Sequence, residues 1–436
     1  MAAPGKVQSC HVLLWGQEVG VAAWDVEREL ASFQYTPTFA RGWLEIAPLM
    51  IPLNADRIYS FPTLGNETFL GLPGLLADAL PDRFGNTLID VWLARRGRSK
   101  ADFNPIERLC FMGSRGMGAL EFKPAHGPRP RSSVPIEIDE LTQIAGEVLR
   151  QREKISVNMD RKNEAALKTI IRVGTSAGGA RAKAVIAWNP ETGEVRSGQV
   201  TPPPGFEPWL LKFDGVRGDS LGDPEGFGRI EFAYHKMVRA AGIEMTECRL
   251  EMDGRRAHFM TRRFDRTNVG EKIHVLSLCG MMHYDYNTPR TYSYEDALSV
   301  VQRLNLGSVA LRELYRRMVF NVLARNQDDH TRNIEFLMNS AGTWSLAPAY
   351  DMTWSYHEDS RWTNRHQMLV NGKSDQFTKE DLLSVAKRFG IKRAEDVLQE
   401  VFAAVKRWPE FAEDVDVPHE TINRIRATHR CGILVN

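Results

Sequence analysis

The chain is poor in cysteine. Its 436 residues include five: Cys10, Cys110, Cys248, Cys279 and Cys431. The count is odd and no two form a C-x-x-C pair. This excludes a simple disulfide framework or thiolate zinc site and reads as reduced thiols in a cytoplasmic protein. The eleven histidines show no H-x-x-x-H spacing. No apolar run is long enough to cross a bilayer, and residues 1–6 lack a signal-peptide apolar core, so no membrane association is expected. Formal net charge is only +1, which gives no strong autonomous drive toward nucleic acid. Repeats and low-complexity tracts are missing too. What is present is an ordinary globular composition, 43% hydrophobic and 25% charged, long enough for two or three domains with sizeable cores.

One segment carries chemistry. Asn326-Gln327-Asp328-Asp329-His330-Thr331-Arg332-Asn333 places an aspartate five residues before an asparagine, and Tyr350-Asp351 follows downstream. Phosphoryl transfer from Mg·ATP needs one carboxylate to orient the acceptor hydroxyl and take its proton. It also needs an amide oxygen and a second carboxylate to hold the metal on the phosphates. Protein-kinase catalytic loops use the same spacing. The five-residue step selects Asp328 as the base and leaves Asp329 as a helper or loop-shaping residue. Upstream, Leu311, Leu314, Tyr315, Met318, Val319, Val322 and Leu323 recur at helical spacing, with Arg312, Glu313, Arg316 and Arg317 on the polar face. A docked helix ending near Arg325 should therefore support the loop. Residues 334–338 read as a strand, 339–342 as a turn and 343–346 as a return strand, a hairpin that carries Asp351 back beside Asp328.

A nucleotide needs a phosphate cradle as well. Residues 172–183 are rich in Gly, Ala and Ser, and small residues let backbone N–H groups approach phosphate oxygens, with Arg181 or Lys183 adding charge. The stretch is neither a Walker A loop nor a G-x-G-x-x-G turn. Lys212 lies in the apolar strand-like run 208–213, as a phosphate-binding lysine would. Glu231, beside the apolar face formed by Ile230, Ala233, Tyr234 and Met237, is either its acidic partner or a solvent-facing residue.

Residues 11–15 and 19–24 read as a β-hairpin that opens an N-terminal mixed domain. A proline-rich linker covers residues 123–135, with Arg129 and Arg131 in solvent. Residues 201–205 form a loop within the following β-rich block. The polar, aromatic segment from Asp285 to Arg290, with Tyr292 and Tyr294, is a structural turn in preference to a substrate contact.

In this order, the Gly-Thr-Ser-Ala-Gly-Gly-Ala-Arg-Ala-Lys stretch, the Leu-Leu-Lys-Phe strand, Arg262-Arg263-Phe264-Asp265-Arg266, the Asp-Asp-His-Thr-Arg-Asn loop and Ala349-Tyr350-Asp351 resemble HipA-type serine/threonine kinases, the toxin half of bacterial toxin–antitoxin pairs. The resemblance covers essentially the whole chain, with Gly118-Ala119-Leu120-Glu121-Phe122 ending an extra N-terminal subdomain. It implies an α+β, bilobal protein-kinase-like fold: residues 1–122 as the N-terminal mixed α/β subdomain, 136–266 as a β-rich nucleotide lobe, and 267–436 as a helix-rich C-lobe.

The same resemblance implies site roles. Asp328 would be the proton acceptor, and Asn333 and Asp351 the Mg²⁺ ligands. Lys212 would bind ATP phosphates. Gly178, Gly179, Ala180, Arg181, Ala182 and Lys183 would form the phosphate loop, and Arg262, Arg263 and Phe264 the hinge beside adenine. His330, Thr331, Arg332 and Tyr350 would line the nucleotide site. Ser176 falls on the autophosphorylated serine, with Thr175 as a neighbouring alternative, and a phosphate there, about −1.5 to −2 in charge, would repel ATP. One departure is Arg262, where the family often has Glu. Implied partners are a protein target, with an aminoacyl-tRNA synthetase as a candidate, and a HipB-like helix-turn-helix antitoxin that supplies most contact with operator DNA. Two rivals stay open: a small-molecule kinase of the aminoglycoside-phosphotransferase type, and a weakly active kinase fold serving as co-repressor or scaffold.

Overall fold

A computed structural model describes residues 7–81, 83–94, 97–99, 102–127, 135–151, 181–200, 202–216, 226–267 and 270–434. Among the described residues, three antiparallel sheets and a set of C-terminal helices form the fold. The first sheet contains β1 (Ser9–Leu14), β2 (Gln17–Asp25), β3 (Leu30–Tyr35) and β4 (Leu120–Lys123), in the order β3-β2-β1-β4. Trp15 and Gly16 both have positive φ, the backbone a two-residue hairpin turn requires between β1 and β2. Asn104 and Glu107 cap the Pro105–Met112 helix reciprocally. The expected linker begins inside regular structure, because Lys123 ends β4 and His126 N–H donates to Cys110 O at 2.9 Å. Arg129 and Arg131 lie outside the described residues.

The second sheet contains β5 (Lys183–Trp188), β6 (Val195–Ser197), β7 (Glu207–Lys212), β8 (Cys248–Asp253) and β9 (Arg256–Arg262), in the order β6-β5-β7-β9-β8. Every residue of β5 is buried, as a strand covered on both faces demands. The Phe227–Ala240 helix lies across β8 and β9. It comes so close that a Cβ on Gly228 would collide with the Ala257 carbonyl.

The third sheet contains β10 (His274–Ser277), β11 (Glu335–Met338) and β12 (Trp344–Leu346), in the order β10-β11-β12. The Gly307–Leu323 helix, which precedes β11 in the chain, is buried continuously from Leu314 to Leu323. This corrects the expected polar face: Arg316 and Arg317 are buried. Each has partners that offset the cost of burying its charge. Arg316 lies 2.5 Å from Glu400 and donates to Ala241 O, while Arg317 pairs with Glu313 at 2.8 Å and donates to Ala347 O.

One apolar core runs from Val12 and Phe33 of the first sheet through Tyr234 to Val319 and Val401 of the helices. A second gathers Leu88 and Phe111 with Trp188, Trp209 and Leu211. The N-terminal segment thus contributes to both cores. Among the described residues no helix is long and apolar enough to cross a membrane.

Candidate active site

The strand alternation of β7 buries Trp209 and Leu211 and leaves Lys212, the last residue of this central strand, partly exposed. Its ammonium donates to Glu231 Oε1 at 2.5 Å and to Asp351 Oδ1. Glu231 is buried on the inner face of the Phe227–Ala240 helix, so the solvent-facing alternative does not hold. Burial opposes charge on Lys212, but Asp351 and Glu231 outweigh it and hold its pKa above the usual lysine range. Burial likewise opposes charge on Asp351, yet Lys212 and Lys183 bring its pKa down to about 2.

Lys183 is not part of a loop. It opens β5, is buried, and stands directly opposite Lys212 in register. Like charges so placed repel, and the adjacent carboxylates make the arrangement tolerable. Arg181 stacks on the Phe227 ring at 3.8 Å. Burial lowers its pKa, while Glu231, Asp351, Asp214 and Asp328 oppose that shift. Ala182 is buried beside it. Thr175, Ser176, Gly178, Gly179 and Ala180 lie outside the described residues.

Beyond the Gly307–Leu323 helix the chain turns through Arg325, at φ +57°, into the acidic loop. Asp328 is buried enough to raise its pKa, with Asp351 and Asp329 adding repulsion and His330 opposing. Gln367 Nε2 donates to Asp328 Oδ1 at 2.6 Å. Asn333 Nδ2 donates to the Asp328 carbonyl at 2.8 Å, a bond that engages its amide nitrogen and not its amide oxygen. Asp329 points the other way and accepts from Tyr294 OH, His366 Nδ1 and the Gln367 N–H at 2.8–2.9 Å. Asp351 itself has φ +52°, a conformation costing a non-glycine residue about 1 kcal/mol.

The remaining named residues each have neighbours of their own. His330 packs at 5.4 Å from the Tyr286 ring, with Nδ1 buried and without a hydrogen-bond partner among the described residues. Thr331 donates to Tyr284 O at 2.7 Å. Arg332 donates to Leu80 O at 3.2 Å and lies 3.8 Å from Asp78, so the N-terminal region buttresses the loop. Tyr350 OH donates to Arg332 O at 2.5 Å, and its ring lies 5.6 Å from Phe264. Arg262 pairs with Glu207 and Glu247 on the sheet. Arg263 donates through its backbone to Pro208 O and grips Asp265 with two bonds of 2.7–2.8 Å. Asp265 in turn accepts from Gly118 N–H at 2.7 Å.

Sequence reasoning missed Gln367, Asp78 and Asp265 as neighbours of the site. Their partners stand 39, 254 and 147 residues away in the cases of Asp328, Arg332 and Gly118, and no local pattern signals such contacts. Among the described residues no cluster of three acidic, histidine or cysteine side chains offers a protein-only metal cage. One carboxylate and one amide oxygen instead suit a Mg²⁺ that takes its other ligands from phosphates and water.

Residues 10–123 match the model of the HipA N-terminal domain, and residues 175–408 that of the HipA-like C-terminal domain. A solved Shewanella oneidensis MR-1 complex of toxin–antitoxin proteins HipA and HipB with operator DNA contains a chain that aligns at TM-score 0.64. That alignment has 17% identity and covers 96% of this chain and 94% of that one, which shows a common fold. A Helicobacter pylori proinflammatory kinase, CtkA, aligns at only 0.34, with 14% identity over 52% of this chain and 89% of its own. A curated Haemophilus influenzae protein described as "Putative kinase" is 27% identical over 134 residues, 28% of this chain. The match spans 39% of that relative's length. With both domain models matched in order and the second alone spanning more than half of its length, this chain belongs to the HipA family.

Proposed function

We propose that this chain is an ATP-dependent serine/threonine protein kinase, a HipA-like toxin, which transfers the γ-phosphoryl group to a protein hydroxyl and to its own Ser176. The observation that carries the reading is that Lys212 pairs with both Glu231 and Asp351, and that Asp351 acts in turn on the charge of Asp328, four residues from four separate segments. The five-stranded sheet with its Phe227–Ala240 helix on one side, and the helical C-terminal part on the other, support a bilobal kinase-like description.

Each residue's part follows from its environment. Lys212, kept cationic and aimed by Glu231, binds the phosphates of ATP. Asp351, kept anionic, and the Asn333 amide oxygen hold Mg²⁺. Bound there, the cation supplies charge neutralisation on the phosphates. Asp328, whose proton affinity is raised by burial, orients the acceptor hydroxyl and takes its proton as the new O–P bond forms. The bond from the γ-phosphorus to the β–γ bridging oxygen breaks, and ADP leaves. Arg262, Arg263 and Phe264 form the hinge beside adenine, and His330, Thr331, Arg332 and Tyr350 line the nucleotide. Residues 178–182, with the Lys183 ammonium at the head of β5, are assigned to its phosphates. Modification of Ser176 would place about −1.5 to −2 charges beside that cradle and silence the enzyme.

The likeness to the Shewanella complex supports a HipB-like helix-turn-helix antitoxin as partner, with operator DNA reached through it. The family resemblance implies a protein target, for which the translation machinery, such as an aminoacyl-tRNA synthetase, is a candidate, and a cytoplasmic setting. Intact-mass and phosphopeptide analysis after incubation with Mg·ATP tests the reading. One phosphate on Ser176 of the wild type and none on Asp328→Ala is the expected result. No phosphate on either, from unmodified protein that binds ATP, would favour a small-molecule kinase or a scaffold.

A further inference from the structure

Gln367 lies in a loop 39 residues beyond Asp328, outside every sequence motif of the site. Its backbone is fastened on both sides. Arg290 N–H donates to Gln367 O at 2.6 Å, Leu369 N–H donates to Tyr292 O at 2.9 Å, and Tyr294 N–H donates to Leu369 O at 2.9 Å. The preceding His366 is held by Asp329 at 2.8 Å and by Ser374 O at 3.0 Å. From this anchored position Gln367 reaches both aspartates of the acidic loop. Its backbone N–H goes to Asp329 Oδ1 and its side-chain Nε2 to Asp328 Oδ1.

The side-chain contact has a direction. With the amide reversed, its oxygen would face a carboxylate oxygen, so the nitrogen must point at Asp328. The consequence is that Gln367 Oε1, in a residue only 4% exposed, has no hydrogen-bond partner among the described residues. A buried acceptor left unmet is a cost that packing alone would remove by substituting an apolar side chain of the same length. Among the described residues Gln367 is also the hydrogen-bond donor to the Asp328 carboxyl group.

We propose that Gln367 is a positioning residue for Asp328: its carboxamide nitrogen holds Oδ1 and fixes the rotamer that offers Oδ2 to the phosphoacceptor hydroxyl. The inference rests on the kinase reading above. It acts through Asp328 and not through ATP, so its effect falls on the rate of transfer and not on nucleotide affinity.

The test is single-turnover phosphoryl transfer from Mg·ATP to the full chain's own serine, with ATP affinity and melting temperature measured on the same samples. Gln367→Met, nearly isosteric and unable to donate, should lower the rate at saturating ATP by about 10- to 100-fold. Its ATP affinity should stay within about twofold, since the phosphate-binding groups are untouched. In an Asp328→Ala background, adding Gln367→Met should change the residual rate by less than about twofold, because the residue it positions is already gone. Should Gln367→Met melt early, Gln367→Glu serves instead, with a carboxylate facing Asp328 and an equal or larger rate loss expected. A wild-type rate in the folded variant, or the same fold-loss with and without Asp328, would overturn the positioning role. A wild-type chain that binds ATP but transfers no phosphate would overturn the kinase reading itself, and this inference with it.

Discussion

Lys212 and Asp351 stand 139 residues apart in the chain and share an ion pair. This contact ties the end of β7 to the turn after β12, and Glu231 completes it from the Phe227–Ala240 helix. The two carboxylates are more than nucleotide chemistry in waiting. Glu231 is a buried charge that Lys212 balances, while Asp351 remains 26% exposed.

Lys212→Met should therefore damage two properties. It removes the ammonium proposed for the phosphates, and transfer should fall by at least about 100-fold. It also leaves Glu231, whose side chain is 4% exposed, without its cation. Breaking a buried pair from one side costs about 3 kcal/mol. Urea unfolding of the variant should show that loss, and an unchanged midpoint would contradict the pairing.

Asp328 and Asp329 are adjacent but should respond oppositely to replacement. Asp328 is destabilised as a carboxylate by burial and by its neighbours Asp351 and Asp329, so Asp328→Asn should abolish transfer while leaving the melting temperature equal or higher. Asp329 accepts three hydrogen bonds from buried donors. Asp329→Ala strands those donors and should cost about 3 kcal/mol. Thermal melts of the two variants side by side decide the matter, and the reverse ranking would refute it.

Acid should loosen the seam between the N-terminal region and the rest. His274 donates to Ile46 O at 2.9 Å, and His283 Nε2 accepts from Gly74 N–H at 3.0 Å. Burial lowers both pKa values from 6.5 to about 4. Between these pH values the unfolded chain binds the protons and the folded one does not. Stability is therefore complete above pH 6.5 and falls as pH drops toward 4, by at most about 1.4 kcal/mol per pH unit for each histidine. Urea midpoints across this range should show the slope, and His283→Gln should reduce it. A slope unaffected by the substitution would place the titration elsewhere.

Asp265 should behave as a clasp on the same seam. It is fully buried, accepts from Gly118 N–H, and pairs with both Arg263 and Arg266. Asp265→Ala leaves two guanidinium groups unmatched and should cost about 3–5 kcal/mol. Limited proteolysis between the matched domains should accelerate in the variant, whereas a wild-type cleavage rate would argue against the clasp.

What the sequence made legible was local. The Asp328-to-Asn333 step, the apolar face ending at Leu323 and the β11–β12 hairpin each depend on residues a few positions apart. The periodicity around Glu231 defined an apolar face but not which side of its border the carboxylate occupies. That choice depends on a sheet whose strands are remote in sequence. Arg316 and Arg317 mislead for the same reason: a charged residue at a polar helical position reads as exposed until Glu400 and the Ala241 carbonyl arrive to receive it. Gln367 carries no motif at all, and only the folded loop reveals its target.

The central claim is that Asp328 takes the acceptor proton in a phosphoryl transfer assembled around Lys212 and Asp351. Its most direct test is the rate of label transfer from [γ-³²P]ATP to protein, measured at saturating Mg·ATP for wild type and Asp328→Asn, with nucleotide affinity determined in parallel. The account predicts a loss of at least about 100-fold in rate with affinity retained. An Asp328→Asn protein that transfers label as fast as wild type would contradict it.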